Sequence, residues 1–225
     1  MFDSDDLSRR DWLRMLGAGA TLLGVSRVAS ARTRDCKKTA PQSEGPFYPP
    51  DLPDDKGADL TCVSPGDELD LACVRGKKER AKGEIIQVTG RITDKNGRPL
   101  EGERIEIWQA DAAGHYNHPM APKTRERDPN FQGWGRTRIK ADGAFAFRTI
   151  KPPPYPSGLP GWMRPAHIHF KVHRARYTLT SQFYFEGDRY IDKDLIYLAV
   201  PRCQRKNAIA HLRDGRWTIN IVLPV

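Results

Sequence analysis

From Glu84 onward the chain alternates. Ile86, Val88, Gly90 and Ile92 are separated by polar neighbours, the period-two pattern of a strand with one buried face, and Ile105 and Ile107 resume it. Between the two runs stands Asn96-Gly97, a dipeptide suited to the positive-φ positions of a tight turn, so the pattern predicts a β-hairpin. Further strand-like runs cover Ala144 to Thr149, His167 to His173, Tyr177 to Phe185 and Trp217 to Leu223. Turn signals separate them and little reads as helix. The expected class is all-β: an antiparallel β-sandwich with long functional loops and an extended N-terminal arm. The stretch from Ala110 to Gly143 lacks regular pattern, and irregular segments of this length usually carry function.

Residues 32–83 are rich in Pro, Asp, Gly and Lys with almost no apolar period, and are expected to form an arm wrapping a core at 84–225. The first 31 residues have a different character. Arg9-Arg10 and the Trp12-Leu13 pair precede a mild apolar stretch, Met15 to Val25, and Ala29-Ser30-Ala31 follows. This is the pattern of a twin-arginine export signal with a small-residue cleavage site, which predicts a periplasmic or secreted protein and the twin-arginine translocation machinery as a partner. Glycines at 17, 19 and 24 weaken the alternative, an amphipathic helix of the mature fold.

Composition narrows the class. The chain has 225 residues, 38% hydrophobic and 29% charged, which suits one globular domain and disfavours disorder. Its only long apolar run is too short to span a bilayer, so stable membrane insertion is not expected. Net charge is +9, yet no Lys/Arg run is interleaved with aromatics, and no nucleic-acid partner is expected. Four cysteines, Cys36, Cys62, Cys73 and Cys203, suit an oxidising compartment. Three complete pairings exist; Cys62 with Cys73 is favoured by proximity in sequence, and buried free thiols are the alternative.

Two histidines stand two apart in Arg164-Pro165-Ala166-His167-Ile168-His169-Phe170. On a strand both imidazoles project from one face, a geometry that suits one metal ion, with a polar surface stripe or satisfied core histidines as the alternatives. Tyr116 lies in the long irregular stretch, within Gly114-His115-Tyr116-Asn117-His118. Tyr155 lies in the proline-fixed Pro152-Pro153-Pro154-Tyr155-Pro156. Composition alone nominates neither tyrosine.

Several blocks taken together resemble the intradiol ring-cleavage dioxygenases. They are Glu106-Ile107-Trp108-Gln109-Ala110-Asp111, Gly114-His115-Tyr116, Asp128 to Arg136, Phe147 to Pro152, Arg164 to Phe170 and Gln182 to Asp188. The likeness runs from about Glu84 to Pro201. Ser43-Glu44-Gly45-Pro46-Phe47-Tyr48 resembles the family's pocket-walling arm. The resemblance implies a non-haem Fe(III) ion held by Tyr116, Tyr155, His167 and His169, with two phenolates favouring the ferric state. It implies that Tyr155 leaves the iron when a catechol binds as a dianion, accepting a catechol proton. It implies that Arg164 stabilises carbanion-like substrate, that Gln182 hydrogen-bonds the arginine or the substrate, and that Gly45, Pro46, Trp108 and Ile196 wall the pocket.

The implied reaction consumes O₂ and a catechol and yields a cis,cis-muconate-type diacid. Two features depart from the family pattern. Ser157 stands where close relatives have a tryptophan two residues after the axial tyrosine. The chain also carries its own Gly-Pro-Phe-Tyr arm, where the protocatechuate branch closes its pocket with a second, different subunit; a self-sufficient site or a homo-oligomer is expected. Rival readings are a non-catalytic β-sandwich module binding aromatic compounds, and a copper or zinc hydrolase using His167 and His169 alone, which leaves both tyrosines unexplained.

Overall fold

The structure is a computed structural model and describes residues 36–50, 61–64, 68–102, 104–122, 126–174 and 177–225. The expected export signal, residues 1–31, lies outside the described residues. In chain order the strands are β1 (Thr61–Ser64), β2 (Glu68–Val74), β3 (Ile85–Asp94), β4 (Arg104–Trp108), β5 (Trp134–Arg138) and β6 (Ala144–Ile150). They continue with β7 (Tyr155–Pro156), β8 (Met163–Arg164), β9 (His167–Arg174), β10 (Tyr177–Phe185), β11 (Ile209–Arg213) and β12 (Arg216–Leu223). One short α-helix stands among the described residues, α1 (Leu195–Ala199), with 3-10 turns on either side of it.

Ten strands form a continuous ribbon in the order β1-β2-β6-β3-β12-β11-β10-β9-β4-β5. One half of the ribbon runs from β1 to β11 and the other from β10 to β5, and alternate apolar residues from the two halves build one core. Val88, Ile92, Phe147, Ile219 and Ile221 come from the first half; Ile105, Ile107, Ile168, Phe170 and Phe183 come from the second. The halves approach closely at Gly135 of β5, where an added Cβ would lie 2.9 Å from the Leu69 side chain of β2. The all-β expectation holds. Most pairings are antiparallel, but β2/β6, β3/β12 and β10/β11 run parallel, so the sheet is mixed.

The structure corrects three local expectations. Asp94 to Gly97 does form a tight turn, closed by the Gly97 N–H on the Asp94 carbonyl. The flanking strands, however, do not form a hairpin. β3 pairs with β6 and β12, whereas β4 pairs with β5 and β9; only one bridge, Thr93 to Pro99, joins the segments. The turn is therefore a corner between layers, because Ile92 and Ile105 gain more by entering the shared core from opposite sides than by lying side by side.

The second correction concerns residues 32–83. β1 and β2 lie inside this stretch and form an antiparallel pair stapled by Cys62–Cys73, with β2 joining the edge of β6. β2 itself alternates, with Leu69 and Leu71 buried in the core, a period-two run that the reading of this stretch as an arm passed over. The third is β5, which sits unpredicted inside the long loop. Its sequence Trp-Gly-Arg-Thr-Arg has one large apolar residue, and pairing with β4 makes it a strand.

Residues 36–50 form an extended segment without regular strand or helix. It lies along the body through Thr39 N–H to Val222 O, Gln42 N–H to Thr180 O, and the Ser181 hydroxyl to Ala40 O. Its start is covalently held by Cys36–Cys203, and the Asn207 amide donates to both the Cys36 and Lys38 carbonyls.

Candidate metal centre

β4, β9 and β10 lie side by side, and their residues alternate between the core and an outer face. Ile168 and Phe170 turn into the core, so His167 and His169 turn to the other face, as the two-residue spacing requires. Register then fixes their neighbours. Trp108 and Gln182 lie directly opposite His169 on either side, and Tyr184 lies opposite His167. The Trp108 indole stacks on the His169 ring, with centroids 4.9 Å apart and planes 11° apart.

Both tyrosines arrive from outside the sheet. Tyr155 stands on β7 opposite Arg164 on β8, so a two-stranded ribbon carries both to the site as cross-strand partners. Tyr116 is delivered by the long loop, which is ordered by the buried Asp111. One carboxylate oxygen accepts from the Ala113 and His115 amides and the other from the Asp128 amide. Gly114 turns the chain at φ 78°, and an added Cβ there would lie 3.0 Å from Tyr155 Cβ, so the approach of the two tyrosines uses a glycine.

These elements bring three donor atoms together. Tyr116 Oη and His167 Nε2 are 3.2 Å apart, Tyr155 Oη and His167 Nε2 3.3 Å, and the two phenolic oxygens 3.4 Å. This is the spacing of neighbouring ligands on one ion with bonds of about 2 Å. His167 Nδ1 lies 2.7 Å from the Pro165 carbonyl, a contact that assigns its proton to Nδ1 and leaves Nε2 as a free lone pair toward the phenols. The His169 ring packs against His167 and Tyr116, with centroids 4.9 and 6.1 Å away, and its Nδ1 is buried without a hydrogen-bond partner.

Burial depresses both imidazoles well below the usual histidine range, and the nearby Arg164 cation adds to the effect. Both are therefore neutral and able to ligate. Burial also pushes both phenols up, Tyr116 the more strongly; Arg164 opposes the shift at each. Without a cation the phenols stay protonated, and a bound multivalent ion inverts that preference. Among the described residues no group of three or more His, Cys, Asp or Glu side chains is placed to hold a metal; the donors that meet here are two phenols and one imidazole, with a second imidazole packed beside them.

Arg164 is buried beside this set. Its Nε donates to Asp194 Oδ2 at 2.6 Å and its Nη2 to Gln182 Oε1 at 2.9 Å. Burial alone would lower its pKa, but Tyr155, Asp194, Tyr184 and Tyr116 together outweigh burial and hold it charged. Asp194, fully buried, also accepts from the Tyr197 amide and so caps α1. Gln182 in turn donates to the Tyr184 hydroxyl, which donates to the arm residue Gln42. The guanidinium is thus held by two side chains, Asp194 and Gln182.

The arm closes over the site from the same chain. Phe47 stacks on Tyr116 at 4.8 Å, and Tyr48 sets its ring edge on Trp108 at 5.0 Å. Gly45, at φ 73°, faces His169, with room for a Cβ at ordinary contact distance, and Pro46 is half-buried between Gly45 and Phe47. Ile196 is half-buried on α1, two residues after Asp194. Ser157 is buried, and its hydroxyl accepts from the Leu159 amide to shape the turn between β7 and β8. Across that turn Trp162 places its ring 5.8 Å from the Arg164 guanidinium, so an aromatic group returns five residues later.

Sequence reasoning missed Asp194, Gln42, Tyr184 and Lys171. Asp194 carried a signal of its own, an acidic residue immediately before an apolar Leu-Ile-Tyr-Leu run, which is the pattern of a helix N-cap.

The chain is similar to known proteins in sequence and fold. Residues 62–217 match the Dioxygenase_C family, described as dioxygenase. The β chain of protocatechuate 3,4-dioxygenase from Burkholderia cepacia is 41% identical over 131 residues, covering 57% of this chain and 56% of its own length. Hydroxyquinol 1,2-dioxygenase from Rhizobium sp. is 31% identical over 84% of this chain and 61% of its own. This chain therefore spans roughly half to three-fifths of the length of such curated relatives. Among solved structures, the dioxygenase domain of a dioxygenase carbohydrate-binding protein fusion from Streptomyces sp. SirexAA-E superposes with TM-score 0.57 at 26% identity, over 84% of this chain and 99% of that one. The 3-chlorocatechol 1,2-dioxygenase of Rhodococcus opacus 1CP shares the fold, with TM-score 0.59 at 24% identity over 82% of this chain and 71% of its own. Its ordered motifs, its mixed β-fold and a family match covering more than two thirds of its length place this chain in the dioxygenase family, among the intradiol ring-cleavage enzymes.

Proposed function

We propose that the chain cleaves a catechol between its two hydroxyl-bearing carbons, using O₂ and a non-haem Fe(III) ion held by Tyr116, Tyr155, His167 and His169. The carrying observation is the meeting of two phenolic oxygens and a lone-pair imidazole nitrogen within 3.4 Å of one another, beside a second buried imidazole and a fixed cation. Held by Tyr116, Tyr155, His167 and His169, the ion would supply Lewis acidity toward the two catechol oxygens. The overall change balances without a further reductant: one C–C bond breaks, both atoms of O₂ enter, and a dicarboxylic acid leaves.

The chain's own groups account for proton and charge. Tyr155 is less buried than Tyr116, and as a phenolate its Oη takes a catechol hydroxyl proton. Arg164 presents a cation that neither moves nor titrates, pre-aimed by Asp194 and Gln182 at the place where negative charge gathers on the ring. Phe47, Trp108 and Tyr48 exclude water from the ligands' outer side. Export through the twin-arginine pathway belongs to the same proposal. All four cysteines are paired, Cys36 with Cys203 and Cys62 with Cys73, which supports an oxidising destination.

Incubating iron-loaded protein with a panel of catechols under O₂, and identifying the products, tests this. Ring-opened diacids, with a visible tyrosinate-to-iron band in the resting protein, are expected. Catechol bound but unchanged would assign a binding module instead. A colourless protein that takes zinc in preference to iron would overturn the ligand set.

A further inference from the structure

The strand bearing His167 and His169 continues on the same face to Lys171. Its ammonium lies 3.5 Å from the centroid of the Tyr48 ring and forms an ion pair with the Glu44 carboxylate. Its side chain is 12% exposed, against 42% for Glu44, so the lysine is committed to these contacts and the glutamate covers it. Glu106 stands directly opposite Lys171 on β4 and accepts a hydrogen bond from Tyr48 Oη at 2.8 Å. Burial and that carboxylate push the Tyr48 phenol well up, so it remains a neutral donor.

The arm is thereby held at two points, Glu44 and Tyr48, and both converge on one lysine. Between them lie Gly45, which faces His169, and Phe47, which stacks on Tyr116. Tyr48 itself meets Trp108, which stacks on His169. A cation against an aromatic face, largely desolvated, is worth more than the same contact in water, and the ion pair adds to it.

We propose that Lys171 is a positioning residue. It clamps the segment Glu44–Tyr48 over the ligand tyrosine and histidine, and so fixes one wall of the substrate pocket from within a single chain. The inference rests on the function proposed above but makes a claim about the arm that can be read without turnover.

The test uses full-length protein carrying Lys171→Met, which keeps the aliphatic stem and removes the charge, beside Lys171→Arg. Amide hydrogen exchange at residues 44–48 should quicken in Lys171→Met, with and without iron, and return toward wild type in Lys171→Arg. In the iron-loaded enzyme, KM for the preferred catechol should rise about tenfold in Lys171→Met. Iron content and the visible band should persist, and kcat should change less than KM. Should Lys171→Met fold poorly, Glu44→Gln tests the ion-pair half by the same exchange measurement. Unchanged exchange at 44–48 would overturn the clamp, as would iron loss in step with kcat, which would make Lys171 a support of the metal site itself. If no catechol is turned over by wild type while exchange quickens as stated, the clamp stands and the proposed function falls.

Discussion

Arg164 is buried and ion-paired, and that changes what its removal does. The pairing with Asp194 at 2.6 Å lies in a site where both side chains are almost inaccessible. Arg164→Ala strands the Asp194 carboxylate, and breaking a buried pair by removing one partner costs about 3–5 kcal/mol. The variant should therefore unfold earlier in denaturant. At a temperature where it stays folded it should retain iron and the visible band, because Arg164 donates no electron pair to the metal. Its turnover should fall on the order of 10²-fold or more, the scale for loss of a preorganised charge. His167→Ala removes Nε2 from the donor triangle and should lose iron and turnover together. Metal analysis beside steady-state kinetics separates the two, and near-normal turnover in Arg164→Ala would remove the arginine from the chemistry. The resemblance made Arg164 visible, as the match to the family's arginine three residues before His167, but not its counter-charge. Asp194 is 30 residues away and meets it only through the fold.

At the scale of elements, the alternating strands were legible because each has one face in the core. Tyr177 to Phe185 reads directly from its pattern, and the structure gives it the same bounds. The edge strands β1 and β5 were not legible, since four and five residues with few large apolar side chains are too short to show a period, and the Asn96-Gly97 turn marked a change of direction without saying which sheet the chain enters next. Disulfides gave a partial reading: Cys62 with Cys73 followed from proximity, whereas Cys36 with Cys203 joins residues 167 apart and depends on where the arm lies. The two should differ energetically. In the chain-entropy account a bridge closing a loop of more than 100 residues contributes nearly 5 kcal/mol, and one closing about a dozen contributes roughly 3. A Cys36→Ser, Cys203→Ser protein should thus lose more stability in denaturant than a Cys62→Ser, Cys73→Ser protein. Hydrogen exchange should also quicken along residues 38–48 in the first and not in the second. Equal losses, with the arm unmoved, would show that the Cys36–Cys203 bridge does not hold the arm.

For the whole molecule, the residues proposed as ligands, the buried Arg164 and the arm beside them all come from one chain. Gly45 to Tyr48 lie against His169, Tyr116 and Trp108 from within the same chain. The same chain opens with Arg9-Arg10 before an apolar stretch. Replacing both arginines with lysine should strand folded protein in the cytoplasm, since the export receptor reads the paired guanidinium groups. Cell fractionation checks this, and undiminished export of the double variant would contradict the signal. At this scale the convergence of Tyr116, Tyr155 and His167 was implied by the resemblance alone and not by any local pattern, because the three are spread over some fifty positions and the loop ordered by Asp111 and the β7–β8 ribbon bring them together.

The most direct measurement is a single turnover of the preferred catechol by iron-loaded protein under oxygen-18 gas, with the product analysed by mass spectrometry. The account predicts a cis,cis-muconate-type diacid carrying both labelled atoms, one in each new carboxyl group. A ring opened outside the two hydroxyl-bearing carbons, a product lacking one or both labelled atoms because it arose by another route, or catechol recovered intact would contradict it.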